Sequence, residues 1–315
     1  MRDIAVFAGS AHSELAAEVC AHLGVPLHPV RVSRFSTDCL EVQLQESCRE
    51  RDVFLIQPLV APVQENLVEL LLMADAARGA SAARTTVVMP YYAYARSDKK
   101  DAPRISIGAR LVADLLVTAG ADRVLAMAMH SPQVHGFFSV PVDHLHALRE
   151  LAAHFGRYDL GNTVVVSPDL GNIKEAAAFG RMLGIPAAAG AKERLADDRV
   201  AIGSVIGDVA GRDVIVLDDE IASGGTVLEL LERLRELRVN SVRVACTHGL
   251  FASGALKRLS DQPDVEEIVC TNTVPVPLEN RTEKLTVLSI APALAEAMRR
   301  IHNGESVSEL FHPPK

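Results

Sequence analysis

The sequence contains no tryptophan and only four tyrosines among its 315 residues. Proteins that bind single-stranded nucleic acid stack bases on aromatic side chains, and this composition gives no indication of such a surface. The formal net charge of −8 points the same way, because nucleic acids and anionic membranes select for basic surfaces. We therefore expect neither a nucleic acid nor a membrane among the partners.

Cysteine is scarce as well, with Cys20, Cys39, Cys48, Cys246 and Cys270 scattered along the chain and no Cys-x-x-Cys pair. An odd number of scattered cysteines is typical of reduced thiols rather than of a disulfide framework. No apolar run reaches the roughly 18 residues that a membrane-spanning helix needs. The N-terminal residues carry charge too early for a secretory signal, so the predicted location is the cytoplasm.

Short β-branched runs alternate with longer helical patterns along the chain. The predicted strands are 52–58, 85–90, 123–129, 163–167, 213–219, 241–247, 266–271 and 285–290. Most of them are apolar on both faces, as expected for parallel strands covered on both sides. The predicted helices are 64–78, 106–120, 171–184 and 226–237. This alternation predicts an α/β protein with mainly parallel sheets.

The chain is longer than most single domains and long enough to form two hydrophobic cores. A segment near 143–160 links two apparent α/β halves that share no clear sequence repeat. We therefore expect two domains, 1–145 and 146–315.

The most informative pattern is an apolar strand that ends on Asp218 and Asp219 and is followed by the small residues 222–226. Ligands of parallel sheets bind beyond the carboxyl ends of the strands. Gly224 and Gly225 tolerate the unusual dihedral angles that turn several backbone amides toward one anion. The helix that follows directs its positive end toward the same place.

Ser223 and Thr226 add hydroxyl donors, so the loop is suited to a phosphate group. The two carboxylates would repel a phosphate, but they accept hydrogen bonds from sugar hydroxyls, and the pattern as a whole predicts a sugar phosphate. The alternative is a tight strand–helix turn with a capping hydroxyl and two solvated acids, because a single glycine-rich turn is a weak signal.

Several separate blocks extend this pattern over almost the whole chain. In order they read FAGSAHSELAAEVCAHLGVPL, YYAYARSDKKDAPRISIGARLVADLLVTAGADRV, HGFFSVPVDHL, VVVSPDLGNIKEA, IGDVAGRDVIVLDDEIASGGT, THGLF and VLSIAPALAEAMRRIHNGESVSELF. The loop resembles the phosphoribosyl-diphosphate motif of type I phosphoribosyltransferases. The full set of blocks resembles the ribose-phosphate diphosphokinases.

The resemblance implies two type I phosphoribosyltransferase-like domains, each with a mainly parallel sheet flanked by helices, and the second domain carries the loop. It also implies transfer of a diphosphoryl group from ATP to the anomeric hydroxyl of ribose 5-phosphate, which gives phosphoribosyl diphosphate and AMP. Mg²⁺ is the implied cofactor, and a homo-oligomer, hexameric in the family, is the implied assembly.

The same resemblance implies the site residues. The ribose 5-phosphate residues are Asp169, Asp218, Asp219, Ser223, Gly224, Gly225 and Thr226. The ATP residues are Phe35, Thr37, Cys39, Arg96, Ser97, Asp98, Lys99 and His130. The catalytic residues are Lys192 and Arg194, in a segment that is a flexible loop in the family, and the metal residues are His130 and Asp169.

The chemistry of the side chains supports several of these assignments, but each residue also has a simpler structural interpretation. The planar fork of Arg96 matches triphosphate oxygens, although the segment around it also fits a solvated charged loop. Lys192 and Arg194 suit the charge of a transferring diphosphoryl group, although they also fit an ordinary basic surface pair. A lone histidine after an apolar strand, as at His130, is more often structural.

The chain departs from the family at several positions, among them Asn172, where the family often has a glycine. Thr37 and Cys39 replace an Asp or Asn and a Glu near the base, and this predicts altered or relaxed nucleotide choice. Ala128 replaces an acid two residues before His130, and Ala222 replaces a third acid in the phosphate loop. Ala128 and Cys39 keep a non-catalytic regulatory relative open as the alternative to an active diphosphokinase. The loop alone would also fit a plain phosphoribosyltransferase, but the N-terminal half resembles the diphosphokinases too closely for that.

Overall fold

The computed structural model describes residues 3–196 and 199–311, and these residues pack into two units. The first unit holds the described residues up to His146, the segment Thr273–Pro275 and the described residues from Ile290 onward. The second unit holds the described residues from Ala147 to Asn272 together with Val276–Ser289.

Strands and helices alternate through the described part of the chain. The strands are β1 (Ile4–Ala8), β2 (Leu27–His28), β3 (Val30–Arg34), β4 (Leu40–Leu44), β5 (Asp52–Ile56), β6 (Arg84–Met89), β7 (Arg123–Met127), β8 (Val142–Leu145), β9 (Thr163–Ser167), β10 (Ala187–Ala196), β11 (Arg199–Ile206), β12 (Asp213–Ile221), β13 (Ser241–Gly249), β14 (Val265–Thr271) and β15 (Leu285–Leu288). The helices are α1 (Ser13–Leu23), α2 (Val63–Gly79), α3 (Gly108–Ala119), α4 (Leu148–Phe155), α5 (Ile173–Leu183), α6 (Gly225–Glu236), α7 (Ala255–Ser260), α8 (Ala291–Asn303) and α9 (Ser308–Phe311). The predicted α/β class is confirmed.

The first unit is built on a sheet with the strand order β2-β1-β5-β6-β7-β8, in which all neighbouring strands are parallel. An antiparallel hairpin, β3–β4, stands beside it and pairs Arg34 with Leu40 next to its turn. The carboxyl ends of β6 and β7 are adjacent, so the segments that follow these two strands emerge at the same edge of the sheet.

The second unit has the strand order β11-β10-β9-β12-β13-β14-β15, and only β10 and β11 are antiparallel among its described pairs. Strand β9 shows why its three central residues are all valine. Val164 and Val166 pack in one core with Leu230 of α6, whereas Val165 packs in a second core with Phe179 of α5. Both faces of the sheet are covered, and all of β9 is buried.

All eight predicted strands and all four predicted helices are present. Strand β9 has the predicted bounds, and β12 continues two residues beyond the prediction, to Ile221. The division into domains 1–145 and 146–315 stays a prediction. By packing, the chain returns to the first unit from Ile290 onward, because α8 packs against α1.

Candidate functional site

The phosphate loop predicted from the sequence is a strand–turn–helix unit in the second unit. Strand β12 ends at Ile221, and α6 begins at Gly225 after Gly224, whose φ of 74° lies in the left-handed region. A β-carbon built at Gly224 would lie 3.3 Å from Cβ of Ala255 on α7. A glycine is therefore required here both by the backbone conformation and by the close packing of α7.

The N-cap residue of α6 makes no side-chain capping bond. Gly224 has no side chain with which to cap the helix, so the amides of the first turn receive no capping bond from it. Ser223 is exposed and Thr226 is half-buried beside the same turn. Backbone amides, a helix dipole and two hydroxyls lie in one place, an arrangement suited to an anion. Residues 223–226 are called the phosphate cradle below.

Carboxylates gather at the carboxyl ends of β9 and β12, which are neighbouring parallel strands. Burial raises the pKa of Asp218 well above its ordinary value, and the nearby charges of Asp219 and Asp169 raise it further. The backbone amide of Asp219 donates to Oδ1 of Asp218 at 3.0 Å. Such a concentration of negative charge is relieved by sugar hydroxyls or by a cation.

Asp169 has a structural role as well. Its Oδ1 accepts hydrogen bonds from the amides of Gly171 at 2.9 Å and Asn172 at 3.3 Å, and these bonds shape the turn that leads into α5. Ser167 Oγ donates to the Asp169 carbonyl at 2.8 Å. The turn therefore holds Asp169 at the strand end.

The carboxylates at these strand ends can bind Mg²⁺ only if substrate phosphates and water supply the remaining ligands. Among the described residues there is no group of three or more His, Cys, Asp or Glu side chains able to hold a metal ion. Mg²⁺ prefers oxygen ligands, keeps several waters and is commonly bound by one or two carboxylates plus phosphates. The carboxylate of Asp169 agrees with that mode of binding.

The predicted nucleotide residues lie in the first unit, at three places. Arg96 ends a short 3₁₀ turn after β6 and is exposed, and Lys99 pairs with Asp101 at 3.6 Å. Ser97 Oγ accepts a hydrogen bond from the amide of Gly108 at 3.0 Å. Ser97 thereby ties the Arg96 segment to the start of α3, and Asp98 follows it half-buried.

His130 follows β7 at the same sheet edge and is exposed. The two residues before it are anchored to β8, because the amide of Ala128 donates to the Leu145 carbonyl and that of Met129 to His144 Nε2, each at 2.8 Å. Ala128 has a φ of 40°, a conformation that a small residue without a branched β-carbon tolerates best. The sequence analysis missed His144; the signal was a polar residue inside the short strand β8.

Phe35, Thr37 and Cys39 form the exposed tip of the β3–β4 hairpin. The Phe35 amide donates to the Cys39 carbonyl at 2.9 Å, so the tip is a closed turn. The Phe35 side chain is 55% exposed and can stack on a base.

Lys192 and Arg194 lie on β10, where they pair in register with Ile202 and Val200 of β11. Their side chains lie outside the described part of the structure. The two residues therefore lie in an antiparallel ribbon, since β10 pairs with β9 only from Ala187 to Ala189 and beyond that point with β11 alone.

Comparisons with known proteins cover nearly the whole chain. Residues 4–120 match the N-terminal domain of ribose phosphate pyrophosphokinase, and residues 193–312 match the phosphoribosyl synthetase-associated domain. A putative ribose-phosphate pyrophosphokinase of Streptomyces coelicolor is 79% identical over 99% of this chain and 98% of its own length. The ribose-phosphate pyrophosphokinase of Deinococcus radiodurans is 49% identical over 97% of each chain.

A solved structure agrees with these relatives. The crystal structure of phosphoribosylpyrophosphate synthetase from Mycobacterium smegmatis covers 96% of this chain and 100% of its own, at 40% identity and a TM-score of 0.90. The similarity is therefore one of sequence and of fold over the same length.

Proposed function

The chain belongs to the ribose-phosphate pyrophosphokinase family, and we propose that it transfers the diphosphoryl group of ATP to the anomeric hydroxyl of ribose 5-phosphate. The products are phosphoribosyl diphosphate and AMP. The observation that carries this proposal is the phosphate cradle at Gly224, set beside the carboxylates that follow β9 and β12, in a chain so similar to named enzymes.

The acceptor sugar phosphate is assigned to the second unit. Its phosphate is held by the amides at the start of α6 and by the hydroxyls of Ser223 and Thr226, which supply donors to an anion. Asp218 and Asp219 accept hydrogen bonds from the ribose hydroxyls. A neutral Asp218 can also donate one, and its raised pKa favours that form.

ATP is assigned to the first unit, with Phe35 stacking on the base and Arg96 binding phosphate oxygens through its fork of donors. Ser97, Asp98 and Lys99 support the same segment, and Thr37 and Cys39 border the base. Mg²⁺ bound to the triphosphate would neutralise negative charge on the phosphates. His130 in the first unit and Asp169 in the second are each proposed as metal residues.

The reaction forms a bond between the anomeric oxygen and the β-phosphorus, while the bond between that phosphorus and the oxygen of AMP breaks. Transfer of this kind depends mainly on positioning and electrostatic stabilisation. We assign the stabilisation of the transferring group to Lys192 and Arg194, whose positive charges match its oxygens.

The partners are ATP and ribose 5-phosphate, and we propose a cytoplasmic homo-oligomer. The described part of the chain contains no helix long and apolar enough to cross a membrane. The oligomer is tested directly by sedimentation at several protein concentrations.

The proposed reaction is tested by incubating the purified protein with Mg²⁺, ATP and ribose 5-phosphate and measuring AMP. AMP should form only when the sugar phosphate is present. Absence of AMP with every nucleoside triphosphate would point instead to a non-catalytic relative, while consumption of phosphoribosyl diphosphate with a free base would point to a phosphoribosyltransferase.

A further inference from the structure

Arg258 on α7 contacts the phosphate loop at the Ser223 carbonyl. It is not among the residues proposed to bind substrate or to act in the reaction. Its guanidinium donates one hydrogen bond to the Ser253 carbonyl at 3.0 Å and another to the Ser223 carbonyl. Ser223 lies immediately before Gly224, the left-handed residue that opens α6. The side chain thus bonds to the peptide group that connects these two cradle residues.

The geometry of a trans peptide turns this contact into a constraint on the cradle. The carbonyl and the N–H of one peptide group point in opposite directions across its plane. When Arg258 holds the Ser223 carbonyl on the α7 side, the Gly224 N–H is directed away from α7. A change in the orientation of this carbonyl would rotate that amide.

The packing around Gly224 supports the same constraint. A β-carbon at Gly224 would lie 3.3 Å from Cβ of Ala255 and 3.7 Å from Cδ1 of Leu259, so α7 forms the floor of the loop. The charged guanidinium also polarises the peptide that it binds, which makes its N–H a stronger donor to an anion. The positive charge of Arg258 further offsets the negative charge of a bound phosphate.

We propose that Arg258 is a positioning residue for the phosphate of ribose 5-phosphate, acting through the Ser223–Gly224 peptide rather than by touching the substrate. This inference rests on the proposed function, because it concerns the acceptor site of the same reaction. It assigns to α7 a role in acceptor affinity.

The neighbouring Lys257 provides a matched control. Both side chains are exposed on α7, but Lys257 donates to Asp261, the residue directly after the helix, at 2.8 Å instead of to the loop. Lys257→Gln removes one positive charge from α7 and leaves the Ser223 carbonyl bound. Arg258→Gln removes the same charge together with the two-carbonyl contact.

The test measures KM for ribose 5-phosphate, KM for ATP and the melting temperature in Arg258→Gln, Arg258→Lys and Lys257→Gln. Loss of a charged hydrogen bond that orients a phosphate donor should raise KM for ribose 5-phosphate roughly tenfold in Arg258→Gln. KM for ATP should stay within about twofold, as expected when only the acceptor site is changed. Arg258→Lys keeps the charge and can reach one carbonyl. Its KM for ribose 5-phosphate should therefore lie between those of the wild type and Arg258→Gln. Lys257→Gln should have the KM of the wild type.

Direct titration of ribose 5-phosphate into each variant by calorimetry, without ATP, should show the same order of affinities. An unchanged KM and affinity for ribose 5-phosphate in Arg258→Gln would overturn the inference and leave the proposed function intact. An equal loss for both substrates would also overturn it, since that is the effect of a general structural defect. If Arg258→Gln fails to fold, KM for ribose 5-phosphate in Arg258→Lys is compared with that of the wild type. An unchanged value would then overturn the inference. A wild-type protein that forms no AMP and binds no ribose 5-phosphate would overturn both proposals.

Discussion

Gly224→Ala is the substitution that examines the phosphate cradle most directly. Placing an L-residue in the left-handed region costs about 1–2 kcal/mol, and the lower entropy of the unfolded chain returns about 0.4–1 kcal/mol of that cost. The new β-carbon would also lie 3.3 Å from Cβ of Ala255, which is closer than an ordinary van der Waals contact. We expect a net loss of about 1 kcal/mol in the free energy of unfolding.

Gly225→Ala is the matched control for this experiment. Gly225 is the first residue of α6, and a β-carbon there would have Ser223 Oγ, at 3.8 Å, as its nearest neighbour. Since alanine is a better helix former than glycine, we expect this variant to be at least as stable as the wild type.

The assay is thermal unfolding followed by far-UV circular dichroism, combined with the two Michaelis constants. Gly224→Ala should lower the melting temperature by roughly 2–4 °C and raise KM for ribose 5-phosphate, because relief of the strain moves the cradle amides. Equal melting temperatures for Gly224→Ala and Gly225→Ala would refute the left-handed cradle and the packing of α7 beneath it.

Three further predictions concern Asp218, Lys192 and the selectivity for the nucleotide base. Because burial and the charges of Asp219 and Asp169 raise the pKa of Asp218, the folded protein binds this proton more tightly than the unfolded chain does. The free energy of unfolding therefore falls as the pH rises from the ordinary carboxyl pKa through the raised one. Asp218→Asn should raise the melting temperature at neutral pH while weakening ribose 5-phosphate binding, and a lower melting temperature would contradict this assignment. Lys192→Ala should reduce turnover about a hundredfold or more with an unchanged melting temperature; Lys257→Ala is its control, and near-normal turnover would remove Lys192 from the mechanism. Since Thr37 and Cys39 offer fewer strong acceptors to a base than the acids they replace, rates with ATP, dATP, GTP and CTP should differ little, and strict selectivity for ATP would argue against that interpretation.

The strand–turn–helix unit of the phosphate cradle was predictable because its determinants lie close together in the sequence. An apolar strand, adjacent glycines and a helical repeat specify β12, Gly224 and α6 from local preferences alone. The same holds for β9, whose three consecutive valines require cover on both faces.

The ribbon β10–β11 was not predicted, because the small residues from Ala187 to Gly190 carry little propensity or alternation of their own. Its strand character depends on pairing with β9 and β11. Pairing of this kind depends on the partner strand more than on intrinsic preference.

The return of α8 to the first unit likewise depends on distant residues. Asp52 is buried, accepts a hydrogen bond from Arg84 Nε at 2.8 Å and lies 2.8 Å from His302 Nδ1. Arg84 also donates to the Ile301 carbonyl at 3.0 Å, at the end of α8. Burial of a charged group is favourable only when it is paired, and the partners of Asp52 lie on β6 and α8.

The sequence by itself determined the α/β class, the position of the cradle and the chemistry of the residues around it, because these follow from local patterns and side-chain types. Only the tertiary structure decided that Arg258, 35 residues beyond Ser223, donates a hydrogen bond to the Ser223 carbonyl, and that His144 anchors the segment before His130. The sequence pattern does not predict these contacts, because they form only when separate helices and strands have packed together.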